Sequence, residues 1–449
     1  MPERETTETL GGWGNYPLVQ AKKHSFTTHS ELLEKLQTLN QYIPRGLGRS
    51  YGDSALAPHV VSMLHYCRLI SFDEETGILC CEAGTSLADI LNVFVPRGWF
   101  LPVTPGTKFV TVGGAIAADV HGKNHHMAGS FSNHLVFLDL LTPDGEVRSC
   151  SLQKNPKLFQ LTCGGMGLTG IILRAAVKLK PIETAYIRQT SKRYADLGAV
   201  MNAFTEKATN TYSVAWIDGL ARGRNLGRSI LFCGEHAKRA ALNPRRALNP
   251  LNLPRKRKLS IPFNLPFNCL NPLTVRTFNF TYYRTAPTKE KTGIVDYDSF
   301  FYPLDNIGHW NRLYGKKGFT QYQFVLPLES SHEGLKQILA RIARGGEGSF
   351  LSVLKLFGKQ DGILNFPREG YTLAMDFPIR TNTFKLLDEL DRMVLDYGGR
   401  IYLAKDARMS AACFREGYKK AEAFLEGKRS HDPHGQIQSL QSNRLGMDE

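Results

Sequence analysis

Residues 121–126 read His-Gly-Lys-Asn-His-His, three histidines and a lysine in six positions, directly after the small, apolar run TVGGAIAADV. His121 and His125 are four apart, the spacing that puts two zinc-binding histidines on one helix face in H-E-x-x-H. Gly122 stands where that motif has its glutamate, glycine and asparagine weaken a helix, and no nearby carboxylate or cysteine completes a ligand set. The metal reading is therefore the weaker one, and active-site work or plain loop structure stay open. Gln321 and Gln323 lie two apart in TQYQFVLP, a strand pattern that sends both amides to one face. Buried amides without partners are costly, so that face meets either solvent or a polar ligand. Lys355 in LSVLKLFG poses the same question. Lys405 in YLAKDAR follows an apolar, strand-like stretch and, taken alone, reads as a lysine snorkelling to the surface.

Three glycine-bearing stretches fall within the first 170 residues. GGMGLTG, 164–170, has the G-x-G-x-x-G spacing at Gly165, Gly167 and Gly170. A Rossmann loop of that spacing follows a strand and opens a helix, so that pyrophosphate meets the helix N-terminus. Here PKLFQLTC before it reads as a helix and IILRAAVKL after it as a strand, so the glycines are read as letting the backbone turn tightly beside something large. PRGLGRSYGDSAL, 44–56, and PVTPGTKFVTVGGAIAADVHG, 102–122, place small residues where backbone N–H groups can approach a phosphate. Each alone is ordinary turn chemistry. Together they point to a shared dinucleotide site.

The elements that must hold these residues are short and mixed. LISFDEETGILCCEAG reads as strand, turn, strand, and TSLADILNVFV as a helix opened by the capping pair Ser86 and Asp89. HLVFLDLLTPDGEVRSCSL is a hairpin turning at Pro143, Asp144 and Gly145. Further on, TFNFTYYR, FTQYQFVLP and FLSVLKLFG read as aromatic strands, and FKLLDELDRMVLDYGG as an amphipathic helix stopped by Gly398. The fold class is α+β, with a mainly antiparallel sheet covered by helices. The polar tail from about residue 426 is expected to be partly mobile.

A chain of 449 residues with 42% hydrophobic residues has room for two or three cores. The polar, charged start MPERETTETLGGWGNYP is unlike a signal peptide and no run is long and apolar enough for a membrane span, so the expected compartment is the cytoplasm. Eight cysteines without a C-x-x-C pair read as mostly buried thiols. The net charge of +15 asks for a partner of opposite sign. Much of it falls in HAKRAALNPRRALNPLNLPRKRK, 236–258, followed by LSIPFNLPFNCLNPL. Basic followed by apolar fits the inner face of a membrane better than nucleic acid, and a solvated loop is the plain alternative.

In order along the chain, RGLGRSYGD, PGTKFVTVGGAIAADVHGKNHH, GSFSNHL, GGMGLTGII, YQFVLP, KLFG and YLAKDAR resemble the decaprenylphosphoryl-ribose 2′-oxidases. These are the flavin subunits of a 2′-epimerase, in the vanillyl-alcohol-oxidase superfamily of FAD enzymes. The resemblance runs from GWGNYP at residue 12 to about residue 425, and the block 104–134 is its most specific part. It implies an FAD domain split into 1–184 and 400–449 around a substrate domain, 185–399. Arg45, Gly46, Leu47, Gly48, Arg49, Ser50, Gly52 and Asp53, with Pro105, Gly106, Thr107, Val112, Gly113 and Gly114, are expected to wrap the FAD pyrophosphate. Ala117, Gly122, Asn124, His125, Gly164, Gly167, Gly170, Ile171 and Tyr402 are expected to line the rest of the cofactor, Asn124 and His125 also holding their loop.

Many relatives in the superfamily carry a flavin-linked histidine where this chain has Arg49, which implies non-covalent FAD. Lys405 corresponds to the family lysine over the flavin, assigned to charge stabilisation with general base as second role, and His121 and Tyr51 join it as catalytic candidates. Lys123, Gln321, Gln323, Lys355 and Tyr302 are expected at the substrate, and Trp13 at the pocket wall. Mycobacterial members have a cysteine in the segment that here reads TLAMDFP, where Ala374 aligns. The implied reaction is oxidation of a polyprenylphosphoryl-ribose, with a separate NAD(P)H-dependent short-chain reductase as partner and no nucleic acid. A soluble alditol or aldonolactone oxidase, and a non-catalytic basic binding module, are the rival readings.

Overall fold

The structure, a computed structural model, describes residues 6–254, 259–265, 271–346 and 349–448. Local signals in the first third of the chain fold as their residue types dictate. Ser86 and Asp89 close a reciprocal capping box, and the helix Leu87–Phe94 buries Leu87, Ile90, Leu91 and Phe94. The hairpin Leu135–Leu141 and Val147–Cys150 turns where Gly145 takes φ 82, with the Thr142 hydroxyl donating to Asp144.

Two smaller sheets carry the glycine loops. One orders Thr6–Gly11, Leu18–Ser25, His59–Ser62 and Ile43–Arg45, so the loop from Gly46 leaves the edge of a sheet. The other is five-stranded, with Ile171–Lys178 at its centre. The helix Pro156–Thr162 precedes the 164–170 glycines and this central strand follows them, opposite to the Rossmann order.

The third sheet has eight strands, and every pairing in it is antiparallel. The helices Leu197–Glu206, Leu328–Gly345 and Thr383–Asp396 pack on one face. In the last of them Leu387, Leu390 and Val394 are buried, the apolar stripe its 3.6-residue period requires. The other face opens on a cleft. Register places Gln323 of Phe319–Pro327 opposite Ala374, Ala374 opposite Val353, and Val353 opposite Trp216, one row of side chains across four strands. The edge strand Arg400–Ile401 belongs to this sheet, so the chain leaves it only after Ile401.

Two expectations fail. TFNFTYYR is not a strand but part of the helix Pro272–Thr285. Asn271 accepts from the Leu273 and Thr274 amides, Pro272 supplies a preset first helical residue, and Phe278 stacks on Tyr282 one turn later at 5.6 Å. A strong N-cap plus the buried contact of Asn279 with Asp218 at 2.7 Å overrides the β preference of the aromatics. Within the basic segment, Pro244–Leu248 is a short helix capped by Asn243, while 255–258 and 266–270 lie outside the described residues.

The tail is also packed rather than mobile. The helices Ala421–His431 and Leu440–Leu445 bury Phe424, Leu425, Gln441, Ser442 and Leu445. Arg444 reaches the buried carboxylates of Asp53 and Asp406, at 2.8 Å each. Asp53 therefore clamps the C-terminus. Arg444→Met leaves two buried carboxylates without their cation and is expected to cost about 3–5 kcal/mol, read as a lowered urea midpoint.

Candidate active site

A cleft of about 750 Å³ runs from the glycine loops to the open face of the large sheet. At one end, the backbone N–H groups of Gly46, Leu47, Gly48, Arg49 and Ser50 donate to no group among the described residues, and all five residues line the cleft. Consecutive unpaired amides form a concave donor set that suits a pyrophosphate. Arg45 braces the loop from behind, its guanidinium donating to the Gly11 and Ala55 carbonyls at 2.7 and 2.9 Å. Arg49 lies over the Trp13 ring, 4.0 Å from its centroid, and donates to the Phe109 carbonyl. Gly106 faces open space, whereas Gly113 and Gly114 pass close to Ala83 and Thr111. These glycines line the cleft together with Ala117, Gly122, Gly167 and Gly170; a side chain at Gly106 would enter open space, whereas one at Gly113, Gly122 or Gly170 would meet the protein itself.

At the other end stand the groups able to do proton chemistry. The Tyr51 amide donates to the Ala404 carbonyl, and Gly52 approaches the Asp406 backbone too closely for any side chain, which presses the Lys405 segment onto the glycine loop. Lys405 Nζ sits 3.8 Å from the centroid of the buried Tyr51 ring. Burial pushes its ammonium down to about 7, opposed by Asp376 and assisted by Lys355. Burial likewise takes Lys355 down to about 8, and among the described residues it has no carboxylate or hydrogen-bond partner. His121, Gln321, Gln323, Lys355, Lys405 and Tyr402 all line the cleft. Tyr402 donates to the Ala118 carbonyl at 2.8 Å and stacks on Phe366.

The expected site residues divide. Gly52, Asp53, Val112, Asn124, His125, Gly164, Ile171 and Tyr302 do not line the cleft. Val112 and Ile171 are core residues, and Gly164 donates its amide to Ile116. Asn124 donates to the Pro102 carbonyl at 2.8 Å, and His125 accepts from the Gly358 amide while packing on Phe357, so both hold the loop. Tyr302 bonds the Thr104 hydroxyl at 2.6 Å from behind the wall. Lys123 lines the cleft, but its ammonium donates to the Phe300 and Phe301 carbonyls, which tie it to the wall. His126 bonds the Asn210 carbonyl and is structural. Ala374 is on the cleft surface, so no thiol stands there.

Asp376 went unnoticed in the sequence. It is fully buried opposite Gln321, accepting from the Gln321 amide at 2.6 Å and the Tyr314 hydroxyl at 3.1 Å, and burial raises its carboxyl to about 7. The only signal was a lone carboxylate inside an apolar strand. Among the described residues no group of three or more His, Cys, Asp or Glu is placed to hold a metal.

Residues 26–151 match the FAD binding domain family. The decaprenylphosphoryl-β-D-ribose oxidase of Mycolicibacterium smegmatis is 39% identical over 454 aligned positions, covering 98% of each chain. The chain belongs to the decaprenylphosphoryl-β-D-ribose oxidase family. It is an FAD-dependent oxidoreductase with the two-domain α+β fold of the vanillyl-alcohol-oxidase superfamily. An uncharacterised protein of Streptomyces coelicolor is 34% identical over 81% of this chain and all of its own. The L-gulonolactone oxidase of Scyliorhinus torazame is 27% identical over 37% of this chain and 39% of its own. In this family setting the unpaired amides at 46–50 and the glycine-lined wall fit FAD.

Proposed function

We propose that the protein oxidises the 2′-hydroxyl of a polyprenylphosphoryl-β-D-ribose to the 2′-keto sugar. This is the first half of an epimerisation that a separate NAD(P)H-dependent short-chain reductase completes to the arabinose form. The observation that carries the reading is the gathering of His121, Gln321, Gln323, Lys355 and Lys405 at the sheet end of a cleft whose other end is the unpaired amide loop. Bound non-covalently, with Arg49 in place of a linking histidine, FAD supplies a hydride acceptor for the carbinol carbon.

The chain's own groups do the rest. Lys405, with its pKa near 7, takes the hydroxyl proton as a free amine and as an ammonium then balances the negative charge left beside it. Gln321, its amide nitrogen committed to Asp376, presents its oxygen as an acceptor for a sugar hydroxyl. Lys355, unpaired and buried, meets the phosphate or a sugar oxygen.

The lipid part points to a membrane surface. From residue 236 to 289 there are eleven Lys or Arg and no Asp or Glu. Leu259, Phe263, Leu273 and Phe280 are exposed in the same stretch, and Tyr282 and Ile307, beside them, line the cleft. Among the described residues no helix is long and apolar enough to cross a membrane. We place the protein peripherally at the inner face of the plasma membrane.

The test is anaerobic addition of a prenylphosphoryl ribose to the purified flavoprotein. Bleaching of the flavin is expected. An unbleached flavin, or peroxide formed from free alditols or lactones instead, overturns the substrate. His121→Ala should keep its flavin and lose most of its reduction rate. A flavin-free H121A protein would make that stretch a cofactor cradle only.

A further inference from the structure

We propose that Thr372, acting through Gln323, fixes the tautomer of His121 so that Nδ1 carries the hydrogen and serves as a donor to a bound ligand. The proposal rests on the functional reading above, and it assigns His121 to hydrogen-bond donation rather than proton abstraction.

The chain of donors runs one way. The Thr372 hydroxyl has a single hydrogen, and it is directed at the Phe324 carbonyl, 2.8 Å away. Its oxygen can then only accept, and the group facing it at 3.2 Å is the side-chain amide of Gln323. That contact turns the amide nitrogen, not the oxygen, toward Thr372. The second hydrogen of the same nitrogen meets His121 Nε2 at 3.0 Å. A ring nitrogen that accepts carries no hydrogen, so in a neutral imidazole the hydrogen sits on Nδ1. The sheet makes the relay possible: Gln323 and Thr372 project to the same face from adjacent strands, two positions apart in register.

Neutrality follows from the surroundings. Burial, reinforced by Lys355, His125 and Lys405, pushes the imidazolium far below its usual range. Phe357, Phe366 and Tyr402 box the ring at 4.7, 5.6 and 5.2 Å between centroids, so it has little freedom to flip and present the other nitrogen. Nδ1 itself is buried with no partner among the described residues, although the ring lines the cleft. Buried donors are rarely left unpaired. An orphan N–H in a locked ring at the wall of a ligand cleft marks the place of an acceptor atom on the occupant, a heteroatom of the flavin or an oxygen of the sugar. Thr372 touches neither and is a positioning residue.

The test begins on the holoenzyme labelled with ¹⁵N-histidine, without substrate. Long-range ¹H–¹⁵N correlation spectra, with His121 assigned by its loss in His121→Phe, are expected to show Nδ1 protonated in the wild type and in Thr372→Ser. Gln323→Glu, which can only accept, should move the hydrogen to Nε2. Thr372→Val keeps the shape of the side chain and removes the relay. It is expected to retain its flavin and its KM, yet to reduce flavin on the order of 10- to 100-fold more slowly, with the serine variant restoring the rate.

Adding a non-oxidisable ribose phosphate ester separates the two acceptors: a shift at Nδ1 assigns the sugar, and an Nδ1 resonance already displaced from apo to holo protein assigns the flavin. A wild-type His121 protonated on Nε2, or a Thr372→Val enzyme as fast as wild type, overturns the proposal. Because the tautomer is read without substrate, a wild-type flavin that lipid-linked ribose fails to bleach would instead overturn the functional reading alone.

Discussion

Lys405→Met is expected to purify with its flavin and to reduce it about 10²–10⁴-fold more slowly, with no dependence on pH near neutrality. The wild-type rate should rise with pH. A base must be unprotonated to act, and burial holds the Lys405 ammonium near 7, so the free-amine fraction grows through neutrality and levels off above it. Below the midpoint, each unit of acid removes about tenfold of the rate. Asp376 raises the Lys405 pKa and is itself held near 7, so the midpoint observed in stopped-flow reduction belongs to the pair. Asp376→Asn removes the charge that favours the ammonium and should shift the limb to lower pH. Lys405→Arg separates the two roles of the lysine. An arginine keeps a positive charge and cannot act as a base, so a rate like that of the methionine variant supports proton transfer. A rate close to wild type would reduce Lys405 to charge stabilisation.

What could be read in advance was what a few neighbouring residues decide. The Ser86–Asp89 box, the turn at Gly145 and the glycine loops depend on residues within a few positions of one another, and they fold as their types require. The helix Pro272–Thr285 also carries local signals, the N-cap Asn271 and the preset Pro272, which oppose the β preference of its aromatic run. The site was harder because its contacts are made by register. Gln321 and Gln323 were visible as two amides on one face. Their partners Asp376 and Thr372 lie some fifty positions away, and only the pairing of two strands brings them together. Asp53 shows the opposite limit. It follows a glycine loop and was expected at the cofactor, yet its partner Arg444 arrives from the far end of the chain.

Gly46→Val is expected to yield folded protein with almost no bound flavin. A Cβ at this position would lie 2.2 Å from the Thr111 hydroxyl oxygen, which caps the helix Val112–Ala117 by accepting from the Gly114 amide. Either the loop moves outward or the cap breaks, and both displace the amides of 46–50 from the cleft. Gly48 allows even less, because its φ of +63 belongs to the left-handed region and a Cβ would meet the Arg45 guanidinium at 2.3 Å. The lost amide contacts should appear as a flavin-to-protein absorbance ratio near zero. Stability should fall as well, since a ligand at a hundred times its Kd adds about 2.7 kcal/mol to the folded state. Gly106→Ala is the informative companion. Its Cβ meets nothing in the protein within 4 Å and points into open space beside the cleft, so the fold should not register it. Weakened flavin binding in the alanine variant, at unchanged apoprotein stability, would therefore report contact with the cofactor itself. If Gly46→Val retained stoichiometric flavin, the unpaired amides would have to serve another anion, and the lipid phosphate of the substrate would be the one to test.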